Sequence, residues 1–173
     1  MYQGLLKIIS GGQTGADTGG LMAATALHLK TGGTMPKGFR RLTGDAPEFK
    51  KFGIKETFSR SYVPRTKMNV NDSDGTVRFA SNFRSAGEIC TMKAIMACGK
   101  PYFDIDIKNP PNKEDFRKWL SENNIRTLNV AGNSEKTSPG IGNFTVKYLM
   151  EALTNSFLTQ EAPHLKAFSL FDE

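Results

Sequence analysis

The sequence has 173 residues, which fits one domain and leaves too little room for two ordinary ones. Hydrophobic residues make up 38% of it and charged residues 23%, a composition typical of a globular protein and unlike that of a disordered or fibrous chain. Its apolar stretches are far shorter than the roughly 20 residues that span a bilayer. The first residues also lack the pattern of a signal peptide, so we expect no leader and no membrane partner.

The net charge of +6 is concentrated in one segment, because nine cations and only three acidic residues fall within residues 37–67. A basic segment favours an anionic partner, and both nucleic acid and a phosphorylated small molecule qualify. No helix-turn-helix or RNA-binding signature accompanies the charge, so a polymer is the less favoured partner. The nine cations are Lys37, Arg40, Arg41, Lys50, Lys51, Lys55, Arg60, Arg65 and Lys67.

The two cysteines, Cys90 and Cys98, lie eight residues apart in a predicted helix. That spacing corresponds to about 12 Å along the helix axis, which is too far for a disulfide. Without a disulfide framework, the sequence predicts a reducing, cytoplasmic location.

In chain order, the first predicted elements are a strand over residues 5–9, a glycine-rich turn over residues 10–15 and a helix over residues 16–29. Residues 31–61 contain so many Gly and Pro residues that they are predicted as loop. A structureless loop of this length is unusual inside a compact domain, so we expect a functional lid or small elements of secondary structure there.

The rest of the chain alternates between strands and helices. Asn112 and Ser138 are predicted N-caps of the last two helices, and Gly99 is the predicted stop of an earlier one. The predicted elements are a short helix over 64–71, a strand over 76–80, a helix over 86–98, a strand over 101–105, a helix after residue 112, a strand over 127–131 and a helix up to residue 155. This alternation predicts an α/β domain with a mainly parallel sheet flanked by helices.

The glycine-rich turn is the first candidate binding site. Glycines let backbone N–H groups approach an anion, and the N-terminus of the following helix adds positive potential. The turn satisfies neither the G-x-G-x-x-G nor the Walker A pattern, so a plain tight turn is the alternative. Asp17, near the helix start, is either a first-turn anion or a ligand contact. The candidate phosphate-binding residues are Ser10, Gly11, Gly12, Gln13, Thr14 and Gly15.

A second candidate site combines the start of the helix over residues 86–98 with the end of the last strand. Ser85, Gly87 and Thr91 suit an anion or ribose contact at a helix N-terminus. Gly132 and Asn133 follow the last strand, and the carboxyl ends of parallel strands meet at the edge where open α/β sheets bind ligands. We therefore expect both groups of residues at one cleft.

Seven motifs follow one another along the chain: Ile9–Asp17, Thr31–Gly33, Pro36–Gly38, Tyr62–Asp74, Gly99–Pro101, Leu128–Gly132 and Ser138–Ile141. Their order and spacing over roughly residues 5–153 resemble those of the molybdenum cofactor carrier-like family. The resemblance implies a Rossmann-like fold of the SLOG group, which includes nucleotide-ligand sensors and cytokinin-activating phosphoribohydrolases. It also implies that the protein binds the molybdenum cofactor, a pterin phosphate, or another nucleotide-like phosphate ligand, and that it forms homo-oligomers.

Glu88 is the candidate catalytic residue of an enzyme alternative. Phosphoribohydrolases place an acidic residue near their second glycine-rich loop, where it helps to break an N-glycosidic bond, and the resemblance assigns this role to Glu88. The simpler interpretation is an acidic residue in the first turn of a helix, which the N-terminal dipole favours.

The basic segment supplies further candidates. We predict that five cations fold over the cleft and clamp an anionic ligand, and the alternative is a solvated basic lid without directed contacts. The five are Lys37, Arg40, Arg60, Arg65 and Lys67. Asn69, Asp72 and Asp74 belong to the candidate ligand-binding set, although the two aspartates are better explained as turn-formers. His28 and His164 lie far apart in sequence without Cys partners, so no metal site is predicted.

The sequence thus predicts a domain over residues 1–155 with a basic lid at about 31–67. It also predicts a tail over residues 156–173 that docks on its own domain or on a neighbouring subunit. The favoured function is non-catalytic binding of a phosphorylated nucleotide-like or pterin small molecule, as a carrier, sensor or sequestering protein. Cleavage of a nucleotide N-glycosidic bond is the alternative, and nucleic-acid binding is the least favoured interpretation.

Overall fold

A computed structural model describes residues 4–158 of the chain. Six strands form one sheet: β1 (Lys7–Ser10), β2 (Lys30–Met35), β5 (Ile54–Glu56), β6 (Gly75–Ala80), β7 (Tyr102–Asp106) and β8 (Thr127–Gly132). A two-stranded hairpin, β3 (Arg40–Arg41) and β4 (Gly44–Asp45), precedes a 3₁₀ helix over Pro47–Phe52. The α-helices are α1 (Ala16–Ala26), α2 (Tyr62–Asn71), α3 (Ala86–Cys98), α4 (Lys113–Glu122) and α5 (Ile141–Leu158).

The main sheet is parallel throughout, with the strand order β5-β2-β1-β8-β6-β7. The central strands β1 and β8 are adjacent although they lie at opposite ends of the sequence. Every connection between neighbouring strands is therefore a crossover, and the carboxyl ends of the six strands lie at one edge. The predicted α/β fold with a parallel sheet flanked by helices is confirmed.

One face of the sheet forms the main apolar core. Ile8, Phe79, Leu128 and Val130 are fully buried there against α1, α4 and α5. Aromatic rings interlock in the same core, with the rings of Phe79 and Tyr148 meeting edge to face at 5.7 Å between centroids. Burial of this face is the main favourable contribution to folding.

The opposite face of the sheet carries buried polar side chains, because successive residues of a strand point to opposite sides. Thr76, Arg78 and Asn129 are all at most 3% exposed. The Nδ2 group of Asn129 donates to Oγ1 of Thr76 at 3.2 Å. Helices α2 and α3 pack against each other and cover this polar face. A charged side chain that is buried between these helices and the sheet therefore needs a partner.

Residues 31–61 were predicted as loop, and this prediction is wrong for β2 and β5, which are strands of the main sheet. The segment Lys30–Met35 has no continuous apolar run, and its glycines read as turn residues. In the sheet, Gly33 has a φ of +124°, and a Cβ there would lie 2.1 Å from the carbonyl oxygen of Ser10. The glycine thus permits a close strand contact rather than a turn.

The cap predictions had mixed outcomes. Asn112 caps α4 by accepting from the backbone N–H of Glu114 at 3.0 Å, and Gly99 ends α3 in the left-handed conformation, as predicted. Ser138 is not the N-cap of α5, which begins at Ile141. Its hydroxyl instead pairs with that of Ser81 at 2.9 Å and joins two loops at the carboxyl edge of the sheet.

Helix α5 extends past the predicted end at residue 155 and runs to Leu158. The rest of the predicted tail, residues 159–173, lies outside the described residues. Among the residues that are described, no helix is both long and apolar enough to span a bilayer.

Candidate functional site

A cavity of about 390 Å³ opens at the carboxyl ends of the central strands β1, β8 and β6, and α2 forms its far wall. Open parallel sheets bind ligands at this edge. Of the predicted site residues, nine line the cavity together: Gln13, Asp17, Arg65, Ser85, Gly87, Glu88, Thr91, Gly132 and Asn133. The predicted meeting of the two glycine-containing loops and α3 at one cleft is therefore what the fold produces.

The first glycine loop is closed by its own hydrogen bonds. The N–H groups of Gly12, Gln13 and Thr14 donate to the side chains of Ser10, Asp17 and Gln13 at 3.0–3.2 Å. These N–H groups were predicted to cradle a phosphate, but they donate to internal side-chain oxygens, of which one belongs to the carboxylate of Asp17. The loop therefore contributes the side chains of Gln13 and Asp17 to the cavity rather than a row of free N–H groups.

Asp17 and Arg65 form a salt bridge beside this loop, with 3.1 Å between Oδ2 and Nη1. Asp17 is 3% exposed, and its burial raises its pKa even though Arg65 and the Gln13 N–H oppose the shift. The guanidinium of Arg65 lies directly over Gly11, where a Cβ would come within 1.6 Å of Nη1. Gly11 is thus required for the position of Arg65.

The Nε atom of Arg65 is buried without a hydrogen-bond partner among the described residues. A buried unpaired N–H of a charged group is costly. Arg65 was predicted from its place in the basic segment, and its position in the cavity wall agrees with that prediction.

The N-terminus of α3 faces the same cavity. Ser85 is its N-cap and accepts from the N–H of Glu88 at 3.4 Å. The N–H groups of Ala86 and Gly87 lie in the first turn, where a helix offers them no internal partner. A Cβ at Gly87 would meet no atom within 4 Å, so this side of the turn is open to a ligand.

Asn133 was predicted to contact the ligand, but its amide is used to join three loops. Its Oδ1 accepts from the N–H groups of Ser81 and Asn82 at 3.1 and 3.0 Å, and its Nδ2 donates to the carbonyl of Asn82 at 3.1 Å. Its backbone carbonyl accepts from the N–H of Ala16 at 3.2 Å. Asn133 therefore sets the shape of the cavity wall and has little capacity left for a ligand.

The geometry at Gly132 explains why no other residue fits there. Gly132 has a φ of +154°, and a Cβ would lie 2.0 Å from the carbonyl oxygen of Phe79. The close approach of β8 to β6 at this point brings Ser134 and Thr137 into the cavity wall. Thr137 was not predicted, because a threonine in a polar loop carries no sequence signal of its own.

Glu88 lies in the cavity wall but is almost fully buried, with 1% exposure. Its Oε2 is 3.5 Å from Nη1 of Arg78, the outer limit of a hydrogen bond. Arg78 is held more closely by Asp104, which accepts from Nε at 2.8 Å and also from Nη2. Burial, opposed by Arg78 and Arg65 and assisted by Asp17 and Asp104, raises the pKa of Glu88 to about 7.

Arg78 and Asp104 were missed by the sequence analysis. Arg78 is the one charged residue of the strand β6, whose six residues are all buried. A cation inside an otherwise uncharged buried strand is a signal of a paired charge, and this signal could have identified it. The rings of Phe83 and Tyr102 flank its guanidinium at 5.0 and 5.8 Å.

Nine predicted site residues do not line the cavity. Five of them belong to the first glycine loop, Ser10, Gly11, Gly12, Thr14 and Gly15, and the other four lie elsewhere. The side chain of Asn69 is buried on the inner side of α2, where it pairs with the backbone N–H and C=O of Thr34. Asp74 accepts from the N–H groups at the start of β8 and so lies at the amino edge of the sheet, and Asp72 is exposed at the end of α2. Lys37 is exposed and does not line the cavity.

The hairpin β3–β4 contacts the first glycine loop. The N–H of Leu42 donates to Oε1 of Gln13 at 3.0 Å, and Arg41 donates to Oγ1 of Thr18 at 2.9 Å. Arg60 pairs with Asp45 at 2.9 Å and holds the hairpin to the chain that leads into α2. Several cations of the basic segment therefore hold the segment in place, and only Arg65 of the nine lines the cavity.

A larger and shallower hollow of about 720 Å³ lies on the outer side of α1. It is bounded by Met22, Leu29 and Phe52, and it lacks the convergent polar groups of the smaller cavity. We assign the candidate site to the smaller cavity because it is deeper and lies at the carboxyl edge of the sheet. Within residues 4–158, no group of His, Cys, Asp and Glu side chains is arranged to hold a metal ion.

The parallel sheet and the polar cavity at the ends of its central strands define a Rossmann-like α/β domain. Residues 8–153 match the model of the family described as Circularly permutated YpsA SLOG. The chain belongs to this family, and the SLOG-type fold implied by the sequence motifs is confirmed.

One solved structure also resembles the chain closely. It is a protein from Syntrophus aciditrophicus SB that bears the name "Putative molybdenum carrier protein". The two share 33% sequence identity with a TM-score of 0.77, over 86% of this chain and 94% of that one. No curated protein matches the sequence.

Replacement of Asn69 by alanine tests its structural role. We expect Asn69→Ala to lower the free energy of unfolding by about 2–4 kcal/mol, because it leaves the N–H and C=O of Thr34 buried without partners. Asn71→Ala, at an exposed position of the same helix, should change it by less than about 0.5 kcal/mol. Urea unfolding measures both, and equal effects of the two variants would contradict this role.

Glu88→Gln tests the buried carboxyl. Because folding raises the pKa of Glu88 from 4.5 to about 7, its contribution to stability is present at low pH and is lost as the pH rises through 7. Glutamine mimics the neutral acid, so the variant should be more stable than the wild type at pH 8 by about 1–3 kcal/mol and nearly equal to it at pH 5.

Glu122→Gln is the matched control, since Glu122 is exposed on α4. Urea unfolding at both pH values is the measurement. A difference between Glu88→Gln and the wild type that is the same at pH 5 and pH 8 would argue against the raised pKa.

Proposed function

We propose that this protein binds a small anionic molecule of the nucleotide or pterin phosphate class in the cavity between α2, α3 and the end of β8. Under this proposal it acts without chemical change of the ligand, as a carrier, sensor or sequestering protein. The observation that carries the proposal is the guanidinium of Arg65 in the wall of a cavity that the first turn of α3 also faces.

The donors of this cavity suit a phosphate group. The N–H groups of Ala86 and Gly87 add the positive end of the α3 dipole to the charge of Arg65. The side chains of Gln13, Ser134 and Thr137 supply neutral groups at its rim. A guanidinium and two N–H groups together match the three outer oxygens of a phosphate monoester.

The volume of the cavity, about 390 Å³, is within the range of small-molecule sites. Beside the polar donors, the cavity wall includes the side chains of Leu42, Tyr62 and Val63. An aromatic and two aliphatic side chains suit the flat ring of a nucleobase or a pterin. The name of the protein from Syntrophus aciditrophicus agrees with a molybdenum-containing pterin phosphate as one ligand of this class.

Arg65→Met and Lys67→Met form a matched pair on α2. Each removes one positive charge, but only Arg65 lines the cavity, and Lys67 is exposed. With inorganic phosphate as the probe, we expect saturable shifts of the Ala86 and Gly87 amide resonances in the wild type. Arg65→Met should weaken binding by about tenfold or more, because a charge-assisted hydrogen bond is lost.

Lys67→Met should stay within about twofold of the wild type, because a solvent-exposed charge contributes little. Thermal unfolding of each variant checks that Arg65→Met retains its fold after its partner Asp17 is left unpaired. Equal weakening by both substitutions, or phosphate shifts elsewhere in the protein, would refute the assignment of the anion site.

Hydrolysis of a nucleotide N-glycosidic bond is the second candidate function. The buried Glu88 favours it, because a carboxyl with a pKa of about 7 in a cavity wall is suited to proton transfer near neutral pH. In such a reaction water adds to C1′ of the ribose, the C1′–N bond breaks and the base leaves with a proton. The first candidate is preferred because Glu88 is only 1% exposed and so has little direct access to a bound nucleotide.

Release of free adenine from adenosine 5′-monophosphate distinguishes the two functions. The enzyme alternative predicts that the wild type releases adenine and that Glu88→Gln abolishes release while it retains binding. Glu122→Gln, with its exposed side chain, should match the wild type. Binding of the nucleotide with no release by the wild type would reject catalysis of this reaction and leave the binding function.

Homo-oligomerisation, a cytoplasmic location and nucleic-acid binding stay predictions from the sequence. Pairing of Arg60 with Asp45 and of Arg65 with Asp17 reduces the free positive charge of the basic segment. This pairing favours a small anion over a polymer as the partner.

A further inference from the structure

Glu88 occupies an unusual place in the proposed anion site. It is the third residue of α3, so its backbone lies in the same turn as the N–H groups of Ala86 and Gly87. Its side chain is buried to 99% and still forms part of the cavity wall. An ionised carboxyl here would lie beside the bound anion in a region of low dielectric, where like charges repel strongly.

The charge of Glu88 is poorly compensated. Arg78 approaches it only at 3.5 Å and is held by Asp104 through two nitrogen atoms, Nε and Nη2. One guanidinium thus serves two carboxyls. Because Asp104 has the closer and better-aligned hydrogen bonds, Glu88 is the carboxyl that accepts a proton at lower cost.

The charged groups around Glu88 come from every neighbouring element. Arg78 lies on β6, Asp104 on β7, Asp17 on α1 and Arg65 on α2, and β8 contributes no charged side chain. When all are ionised, three carboxylates, with Glu88 included, face two guanidinium groups. Protonation of Glu88 makes this cluster neutral, and a bound anion then no longer meets an excess of negative charge.

Two other titratable side chains, Tyr62 and Cys90, also line the cavity. They lie on α2 and α3 and form no ion pair among the described residues. They are therefore not part of the charge balance that a proton on Glu88 restores.

We propose that Glu88 couples anion binding in this cavity to the uptake of a proton, so that the neutral side chain permits binding and the ionised one opposes it. The inference rests on the proposed anion site and adds its regulation. The neutral carboxyl also carries an O–H group that can donate a hydrogen bond, whereas the ionised form only accepts. A pKa raised to about 7 by burial puts this switch near neutral pH.

Inorganic sulfate is the probe, because it keeps the same double charge from pH 6 to 8.5 whereas phosphate changes its own charge. Binding is followed through the Ala86 and Gly87 amide resonances of the full-length protein. For the wild type we expect the dissociation constant to rise at least about fivefold from pH 6 to pH 8.5. Glu88→Gln should bind sulfate at pH 8.5 as tightly as the wild type does at pH 6.

Glu122→Gln is again the control and should follow the wild-type pH dependence, because its exposed side chain is outside the cavity. It also shows that loss of one acidic residue from the net charge does not produce the effect. A pH dependence that persists in Glu88→Gln would overturn the assignment to Glu88.

A second measurement needs no variant. Calorimetry of sulfate binding to the wild type at pH 7, in buffers of different ionisation enthalpy, should report an uptake of about half a proton per sulfate. Sulfate that binds without proton uptake would overturn the coupling and leave the anion site in place. Sulfate that binds at no pH would overturn both the anion site and the coupling.

Discussion

The burial of charged side chains beneath α2 and α3 is the constraint on which the site depends. The apolar face of the sheet packs without such a requirement, but the opposite face contains Arg78, which must be paired because an isolated buried charge is prohibitively costly. Its partners, Asp104 and Glu88, are supplied by the neighbouring strand and by the helix above it. The position of α3, and with it the position of its N-terminus, is therefore fixed by electrostatics as well as by packing.

The same requirement explains the first glycine loop. A loop that leads from a parallel strand into a helix normally offers its N–H groups to an anion. Here Asp17 provides that anion from within the protein and is itself held by Arg65. Asp17 thus supplies the negative charge that the N–H groups of the loop favour. The donors that remain for a ligand come from α3 and from Arg65. The glycine at position 11 serves this internal pair, since the guanidinium lies against it.

The sequence predicted the strands and helices with strong hydrophobic patterns, such as β6, α3 and β8, and it predicted that their loops meet at one edge. It did not predict β2 or β5, each of which contains only one apolar residue, Met35 in β2 and Ile54 in β5. Residue type alone also could not show which polar side chains face a ligand and which form hydrogen bonds within the protein. Asn69 and Asn133 are polar residues of the kind that a binding site requires, yet both form hydrogen bonds with backbone groups of other segments. Such pairing depends on distances that only the folded chain defines.

The net charge of +6 does not act where the ligand would bind. Arg60 is tied to Asp45, Arg41 stacks on the ring of Phe49 at 4.5 Å, and of the basic segment only Arg65 reaches the cavity, where Asp17 already balances it. The remaining lysines, exposed on the surface, act over a distance and are screened by salt, so they speed the approach of an anion more than they hold it. Under the proposed function, affinity then comes from fixed N–H groups at short range and from the charge state of the buried carboxyls. We expect such a cavity to discriminate between anions by their shape and by the pH.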